Sequence, residues 1–291
     1  MIFTKNIWLA PAKLNLFLYI TSRYPNGYHN LQTLFQFLEY SDQLIIIPRN
    51  DGQINLLTPL DGVPNNQNMI IRAAKLLRQK IPESFAYCGA DISIKKIIPI
   101  GAGLGGGSSN AATVLVALNK LWKVNLSHNK LVNIGFKLGA DVPIFIQGSS
   151  YFSEGAGKLI HPAYPKEKWY LIADPGIHIS TSMIFNDPDL NIYSPVRSYQ
   201  DLLLAPYTND CEYIVRKRFH KIEMVLLWLL EYAPSRLTGT GACAFSEFNS
   251  KSSALRVLNK VPGWFKAFVA RGINISPLYN FNDNVCTSQD Y

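Results

Sequence analysis

The sequence GAGLGGGSS at residues 101–109 decides the fold of this chain, because it joins two segments of regular structure. Residues 92–98 are rich in isoleucine and predict a strand that ends before Pro99. After the loop, apolar residues recur at helical spacing and predict a helix whose N-cap lies near Ser108 or Ser109. A strand, a glycine loop and a helix N-terminus together present backbone N–H groups to an anion, which glycine allows to approach closely.

Three known types of anion loop fit this sequence poorly. Gly101-x-Gly103-x-x-Gly106 has the pattern of a dinucleotide site, but such a site needs an acidic residue about 20 positions further on. Residues 92–140 contain no Asp or Glu. A P-loop needs a lysine inside the loop and a protein kinase needs HRD and DFG motifs, and the sequence has neither.

The stretch without acids is also basic. It carries six lysines, whose positive field favours a polyphosphate ligand: Lys95, Lys96, Lys120, Lys123, Lys130 and Lys137. A glycine-rich turn that binds nothing is the alternative. Five glycines in seven positions argue against it, since each glycine loses much backbone entropy on folding.

Residues 12–20 alternate in polarity and predict a strand with one buried face. A turn at residues 24–27 leads to a partner strand at residues 31–38. Lys13 and Asn15 project from the same face of the first strand, about 7 Å apart. On period alone this face is solvated, although Phe17 and Tyr19 continue it.

The first carboxylate after the acid-free stretch is Asp141. Phosphoryl transfer to a hydroxyl needs a carboxylate that accepts the proton, and a nearby lysine keeps that carboxylate ionised. Taken alone, Asp141 before Pro143 is better explained as a helix cap. Tyr28 and His29 can likewise stack on a base and bond its edge, but an ordinary pair of loop residues is the better explanation in isolation.

The remaining segments complete an α+β chain. Residues 68–80 predict a helix, residues 169–173 a strand, residues 215–232 a basic amphipathic helix, and residues 238–241 a second glycine turn. Small residues at 152–157 indicate a domain boundary there. A hydrophobic content of 48% and a charged content of 16% exclude a disordered chain, and four scattered cysteines argue against a disulfide framework or a zinc site.

A nucleic-acid-binding protein is the non-enzymatic alternative. It draws on the net charge of +8 and on the basic run at residues 216–221. On a helix these charges spread over several faces, which favours an ordinary solvated surface. The buried stripe of the same helix is expected at Ile222, Val225, Leu226 and Leu229.

Taken together, the motifs resemble those of the 4-diphosphocytidyl-2-C-methyl-D-erythritol kinase family, within the GHMP kinase superfamily. They are PAKLN at residues 11–15, GYH at 27–29, the glycine loop followed by NAA at 110–112, LGADVP at 138–143 and RLTGTGAC at 236–243. The resemblance continues to about residue 272 and so spans nearly the whole chain.

The resemblance implies an α+β fold with two domains and an active site in the cleft between them. Residues 1–155 would form an ATP-binding α/β domain and residues 156–291 a ferredoxin-like α/β domain. The implied reaction is ATP-dependent phosphorylation of the 2-hydroxyl of 4-diphosphocytidyl-2-C-methyl-D-erythritol, in the non-mevalonate route to isopentenyl diphosphate. Another GHMP kinase with a different alcohol acceptor is the enzymatic alternative.

The resemblance also implies roles for single residues. Asp141 would be the general base and Lys13 its charge partner. Tyr28 and Phe185 would sandwich the cytosine, and the same substrate would contact Asn15, His29 and Thr181. ATP would contact Asn68, Lys96 and the loop residues Pro99, Ile100, Gly101, Ala102, Gly103, Leu104, Gly105, Gly106, Gly107, Ser108 and Ser109.

The partners expected are therefore ATP with Mg²⁺ and the cytidine-linked substrate, without nucleic acid or membrane. The ligands of Mg²⁺ stay open, since Ser108 or Ser109 can reach the ion but no second carboxylate lies beside them. The first ten residues have neither the apolar core of a signal peptide nor the composition of a transit peptide, so we expect a cytoplasmic, bacterial enzyme.

Overall fold

The structure, a computed structural model, describes residues 7–25, 27–60, 62–155, 159–204 and 206–279. Three parts of the sequence predictions lie outside these ranges: Asn26 of the turn, residues 156–158 at the predicted boundary, and Cys286.

The described residues form ten strands and nine α-helices. The strands are β1 (Ile7–Arg23), β2 (His29–Arg49), β3 (Ile54–Leu56), β4 (Gly89–Lys95), β5 (Tyr151–Gly155), β6 (Leu159–Pro162), β7 (Trp169–Asp174), β8 (Ser235–Leu237), β9 (Ala244–Phe248) and β10 (Lys266–Ile273). The helices are α1 (Met69–Gln79), α2 (Gly106–Leu121), α3 (His128–Phe136), α4 (Val142–Gln147), α5 (Thr181–Phe185), α6 (Tyr199–Leu204), α7 (Glu212–Arg218), α8 (His220–Leu230) and α9 (Lys251–Leu258).

The long strand β2 organises the sheet. It pairs with β1 along one edge, and along the other edge with β5, then β10, then β4. The path β3-β4-β2-β10-β7-β9-β8 carries the sheet from the first half of the chain into the second. Every pairing between these strands is antiparallel except that of β3 with β4. The mixed α+β architecture expected from the sequence is confirmed.

The domain boundary after residue 155 stays a prediction. Strands β5 and β6 lie on either side of it and pair with each other.

Strand β1 is buried on both faces, so the solvated face that the period alone predicts is wrong, and the indication from Phe17 and Tyr19 that this face is not simply wet surface is confirmed. Lys13, Asn15, Phe17 and Tyr19 are all at most 4% exposed. The reason is that the second half of the chain covers the face that the alternation left polar. The Tyr207 ring lies 5.2 Å from the Phe17 ring, and the Arg197 guanidinium lies 4.5 Å from the centroid of the Tyr19 ring.

The glycine loop does join a strand to a helix, but both predicted ends were misplaced. Strand β4 ends at Lys95 rather than residue 98, because the Ile97 and Ile98 N–H groups donate to the Asp42 carboxylate instead of to the sheet. Helix α2 begins at Gly106, and its N-cap is Gly105 rather than Ser108 or Ser109.

The predicted helix over residues 215–232 is two helices, α7 and α8. They part at Phe219, which has φ −128° and ψ 85° and packs its ring against the core of the second half. The predicted stripe in α8 is confirmed as buried. The basic run crosses the break, and three of its cations pair with acids: Arg216 with Glu223, Lys217 with Asp189, and Arg218 with Asp187.

Among the described residues, no helix combines the length and the apolar character that a bilayer span requires.

Candidate active site

Lys13 of β1 and Asp141, at the start of α4, form an ion pair. The Lys13 Nζ lies 3.5 Å from Asp141 Oδ2, with the lysine side chain 5% exposed and the carboxylate 38% exposed. The register of β1 against β2 shifts on both sides of this stretch, between Pro11 and Lys13 and again between Asn15 and Phe17. Such irregularities re-aim side chains near active sites.

Asp141 occupies the N-cap position of α4, which agrees with the alternative explanation from the sequence. Its side chain, however, makes no capping hydrogen bond. The carboxylate therefore keeps its acceptor capacity for a ligand, and the cap position serves to orient it.

Asn15 lies behind Lys13 rather than on a cavity wall. The Lys13 ammonium donates to Asn15 Oδ1 at 2.6 Å, and the Asn15 amide donates to Thr33 Oγ1 at 2.9 Å. The sequence had marked Asn15 as a substrate contact. In the structure its direct partners are Lys13, Thr33 and, through its backbone N–H, the Thr238 hydroxyl at 2.9 Å.

The glycine loop lines a cavity of about 380 Å³. Asn68 and Lys96 line the same cavity, as expected from the sequence. Of the predicted loop residues, Leu104 and Ser109 are fully buried and do not line it, whereas Ser108 does. Five glycines of the loop line the cavity, so backbone N–H groups can come close to an anion there: Gly101, Gly103, Gly105, Gly106 and Gly107.

Asn68 and Lys96 are each held by protein groups and each keep spare donor capacity. The Asn68 side chain caps α1 by accepting from the Ile70 N–H at 3.0 Å, while its buried amide nitrogen has no partner among the described residues. Lys96 Nζ donates to Asp42 at 2.7 Å and to the Ile98 carbonyl at 2.5 Å. Burial lowers the pKa of Lys96, and the charge of Asp42 opposes that shift.

Asp42 is the residue of this region that the sequence analysis missed. It is fully buried and accepts four hydrogen bonds, from Lys96, Asn110 and the N–H groups of Ile97 and Ile98. No local pattern marks it, because it lies in the middle of β2, far in sequence from its partners.

A second cavity, of about 540 Å³, lies on the other side of the lysine. Four of the residues predicted to hold the acceptor line it together with Asp141: Tyr28, His29, Thr181 and Phe185. The His29 and Phe185 rings stack with centroids 4.9 Å apart and planes at 23°. Tyr28 lies at the open side, with 68% of its surface exposed.

His29 is prepared to meet a ligand as a neutral ring. Burial, and secondly the charge of Arg23, lower its pKa from the ordinary value, so it is uncharged near pH 7. Its Nε2 is buried and has no hydrogen-bond partner within the described ranges. Buried polar atoms are normally satisfied, so this atom points to a ligand.

Lys13 is buried between the two cavities and contacts a lining residue of each. A Cβ placed on Gly105, which lines the first cavity, would lie 3.0 Å from Lys13 Cγ. The same lysine reaches Asp141, which lines the second. A phosphate held by the loop and a hydroxyl held beside Asp141 would therefore share this cation.

The glycine turn at residues 238–241 closes the site from the second half of the chain. A Cβ on Gly103 would meet the Thr238 and Gly241 carbonyl oxygens at 2.7 Å, so the two glycine turns are in direct contact. Thr240 is within hydrogen-bond distance of Thr181, at 3.1 Å. The sequence predicted a glycine turn at residues 238–241 but not its contact with the glycine loop.

Comparison with known proteins agrees with this geometry. Residues 68–149 match the family model of the GHMP kinases N terminal domain. The crystal structure of a 4-(cytidine 5'-diphospho)-2C-methyl-D-erythritol kinase is similar with TM-score 0.80 and 29% identity, over 91% of this chain and 98% of that one.

More distant structures share the fold. They include a homoserine kinase from Cytophaga hutchinsonii (TM-score 0.67, 14% identity, 93% of this chain and 95% of that one). They also include the Lactococcus lactis galactokinase complexed with galactose (TM-score 0.57, 13% identity, 93% and 94%). The family match over residues 68–149 and the full-length structural similarity lead to one conclusion: the chain contains a GHMP kinase N-terminal domain and is an ATP-dependent small-molecule kinase.

Proposed function

We propose that this kinase transfers the γ-phosphate of ATP to the 2-hydroxyl of 4-diphosphocytidyl-2-C-methyl-D-erythritol, giving the 2-phosphate and ADP, in the non-mevalonate route to isopentenyl diphosphate. The single observation that carries the proposal is the Lys13–Asp141 pair between two cavities, one walled by a glycine loop and one by aromatic rings.

The first cavity is the proposed ATP site. Loop residues 99–109 would hold the phosphates through backbone N–H groups at the N-terminus of α2. Lys96 keeps one ammonium N–H beyond its bonds to Asp42 and Ile98, and Asn68 keeps its amide N–H groups. Both are available to the nucleotide.

ATP is proposed to enter with Mg²⁺, which offsets charge on the phosphates. The residues present suit an ion held mainly by phosphate oxygens and water, since the described ranges contain no cluster of three His, Cys, Asp or Glu side chains. Ser108 is the hydroxyl on the cavity wall that would reach it.

The second cavity is the proposed acceptor site. The stacked His29 and Phe185 rings, with Tyr28 beside them, offer flat surfaces for a base. Arg23 also lines this cavity and suits an acceptor that carries phosphate. Galactose, homoserine and mevalonate lack both a base and a diphosphate, which favours the cytidine-linked acceptor.

The proposed chemistry is a direct in-line transfer. The 2-oxygen forms a bond to the γ-phosphorus as the bond to the bridging oxygen of ADP breaks, and Asp141 takes the hydroxyl proton. Lys13, which contacts Gly105 and Asp141, would stabilise the negative charge on the phosphoryl oxygens in the transition state.

The test is ADP release from MgATP with four acceptors in parallel: the cytidine-linked methylerythritol, homoserine, mevalonate and galactose. We expect turnover with the first alone, and its loss in Asp141→Asn. Turnover with another alcohol would reassign the acceptor. Equal turnover by Asp141→Asn would remove Asp141 as the base.

The aromatic contacts have their own test. Tyr28→Ala should raise the acceptor KM while leaving the KM for ATP unchanged, because it removes a stacking surface worth about 1–3 kcal/mol. Tyr87→Ala is the matched control, since Tyr87 is 74% exposed and does not line the cavity. An unchanged acceptor KM in Tyr28→Ala would defeat the stacking proposal.

A further inference from the structure

We propose that Thr33 is a positioning residue, which sets the orientation of the Asn15 amide and through it the place of the Lys13 ammonium. The proposal rests on the catalytic role proposed above for Lys13. Thr33 lies in β2 between β1 and β5 and is 3% exposed.

The direction of the hydrogen bonds follows from what each group is able to donate. The Thr33 hydroxyl lies 2.6 Å from the Phe17 carbonyl oxygen, which only accepts, so the hydroxyl donates its one hydrogen there. Towards Asn15, 2.9 Å away, Thr33 Oγ1 is then left as an acceptor. The Asn15 side chain must therefore present its NH₂ group to Thr33.

Fixing the NH₂ end of Asn15 also fixes its oxygen. Asn15 Oδ1 faces Lys13 Nζ at 2.6 Å and accepts one of the three ammonium hydrogens. The other two are left for Asp141, at 3.5 Å, and for a phosphoryl oxygen. A flipped amide would place an NH₂ group against the ammonium and push the lysine away from both.

The backbone next to Thr33 explains why a side chain is needed here. The register between β1 and β2 shifts between Asn15 and Phe17, so the regular ladder is interrupted at this point. The Thr33 hydroxyl bonds the Phe17 carbonyl within that interruption, and it links the irregular backbone to the amide.

The test compares Thr33→Val, which keeps the shape but removes the hydroxyl, with Thr33→Ser, which keeps the hydroxyl. We expect Thr33→Val to lower kcat by about 10-fold to 100-fold, the cost of displacing a catalytic group. The KM for ATP should be unchanged, and Thr33→Ser should restore the rate. Thr113→Val is the matched control, because Thr113 is a buried threonine of α2 whose hydroxyl has no partner among the described residues.

A double-mutant cycle separates positioning from packing. If Thr33 acts through Asn15, Thr33→Val should change kcat by less than about twofold in an Asn15→Ala background. An equal loss in both backgrounds overturns the proposal, as does a Thr33→Ser variant as slow as Thr33→Val. If Thr33→Val does not fold, Thr33→Ala takes its place in the cycle.

The same experiment keeps this inference apart from the proposed function. A wild type that turns over the cytidine-linked acceptor, an inactive Asp141→Asn and a fully active Thr33→Val would sink the Thr33 proposal alone. If the wild type does not use that acceptor, the acceptor assignment fails. The Thr33 variants are then compared by their hydrolysis of MgATP in water, with the same expected ratios.

Discussion

Two lysine–aspartate pairs flank the glycine loop, and they are built differently. Asp42 is fully buried, lies 2.7 Å from Lys96 and accepts three further hydrogen bonds. Asp141 is 38% exposed, lies 3.5 Å from Lys13 and makes no capping bond. The Asp42 carboxylate has almost no free lone pair left, whereas the Asp141 carboxylate can still accept further hydrogen bonds.

This difference separates a pair that maintains shape from a pair that is free to react. A carboxylate with all its lone pairs engaged cannot accept a proton without breaking the structure around it. A carboxylate at a cavity wall with free lone pairs accepts one at little structural cost. Exposure and unused hydrogen-bond capacity, more than proximity to a lysine, are the reasons to propose Asp141 and not Asp42 as the base.

The largest expected effect is on catalysis, when the Lys13–Asp141 pair is broken. Asp141→Asn should lower kcat by about 10²-fold to 10⁴-fold, because the proposed general base is lost. Its free energy of unfolding should change by less than about 1 kcal/mol, since the side chain is half-exposed and weakly bonded. Steady-state kinetics and urea unfolding measure the two quantities. A large loss of stability in Asp141→Asn would contradict the proposal that Asp42, and not Asp141, maintains the structure.

Breaking the Lys96–Asp42 pair should instead lower the stability of the fold. Asp42→Asn replaces one oxygen of a fully buried carboxylate, surrounded by four donors, with an NH₂ group that cannot accept, which costs about 3–5 kcal/mol of folding free energy. Urea unfolding beside Asp141→Asn, a matched Asp-to-Asn change, measures the difference. If Asp42→Asn were as stable as Asp141→Asn, the pair would not hold the loop in place.

Gly105 lies between the two pairs and tests how tightly they are packed. It has φ +72°, and an added Cβ would lie 2.8 Å from Phe145 Cζ and 3.0 Å from Lys13 Cγ. Gly105→Ala should cost about 1–3 kcal/mol from the backbone alone and should also lower kcat by displacing Lys13. Gly176→Ala is the control, because Gly176 has φ +69° and no atom near its Cβ position. Equal effects on kcat from both variants would exclude crowding of Lys13 as the cause.

The smallest effect is expected at an exposed pair. Lys217 and Asp189 lie 2.7 Å apart with both side chains nearly half exposed. Lys217→Ala should leave the urea midpoint and kcat unchanged within error, because solvent and salt screen such pairs. A clear loss of stability would show that distance alone, and not burial, decides the worth of a pair in this protein.

The glycine-loop wall of the first cavity could be predicted from the sequence, because one continuous segment, residues 99–108, supplies most of it. Glycines 101–107 and the following helix are local features, and only their ends were misjudged. Gly105 was missed as the N-cap since any loop glycine can supply a positive φ. The sheet that reaches this loop was also recognisable from alternation and apolar runs.

The acceptor side was less accessible to sequence reasoning, because distant segments supply its walls. His29 and Phe185 stack across 156 positions of sequence, and only the family resemblance had brought them together. Asp42 and Thr33 sit inside strand β2 with no local pattern to mark them. The break at Phe219 was missed because the apolar spacing of α7 and α8 suits one continuous helix.

The hydrogen bond from the Asn15 N–H to the Thr238 hydroxyl joins residues 223 positions apart. At a typical rate of synthesis, Thr238 leaves the ribosome about 10–45 s after Asn15. For about the last 5–20 s of that interval the glycine loop and Asp141 have already been made, while strand β1, which carries Lys13, still lacks its contact with Thr238. A chain that stops before residue 238 therefore lacks the hydroxyl that accepts from the Asn15 N–H, and the backbone beside Lys13 gains this partner only late in the making of each molecule.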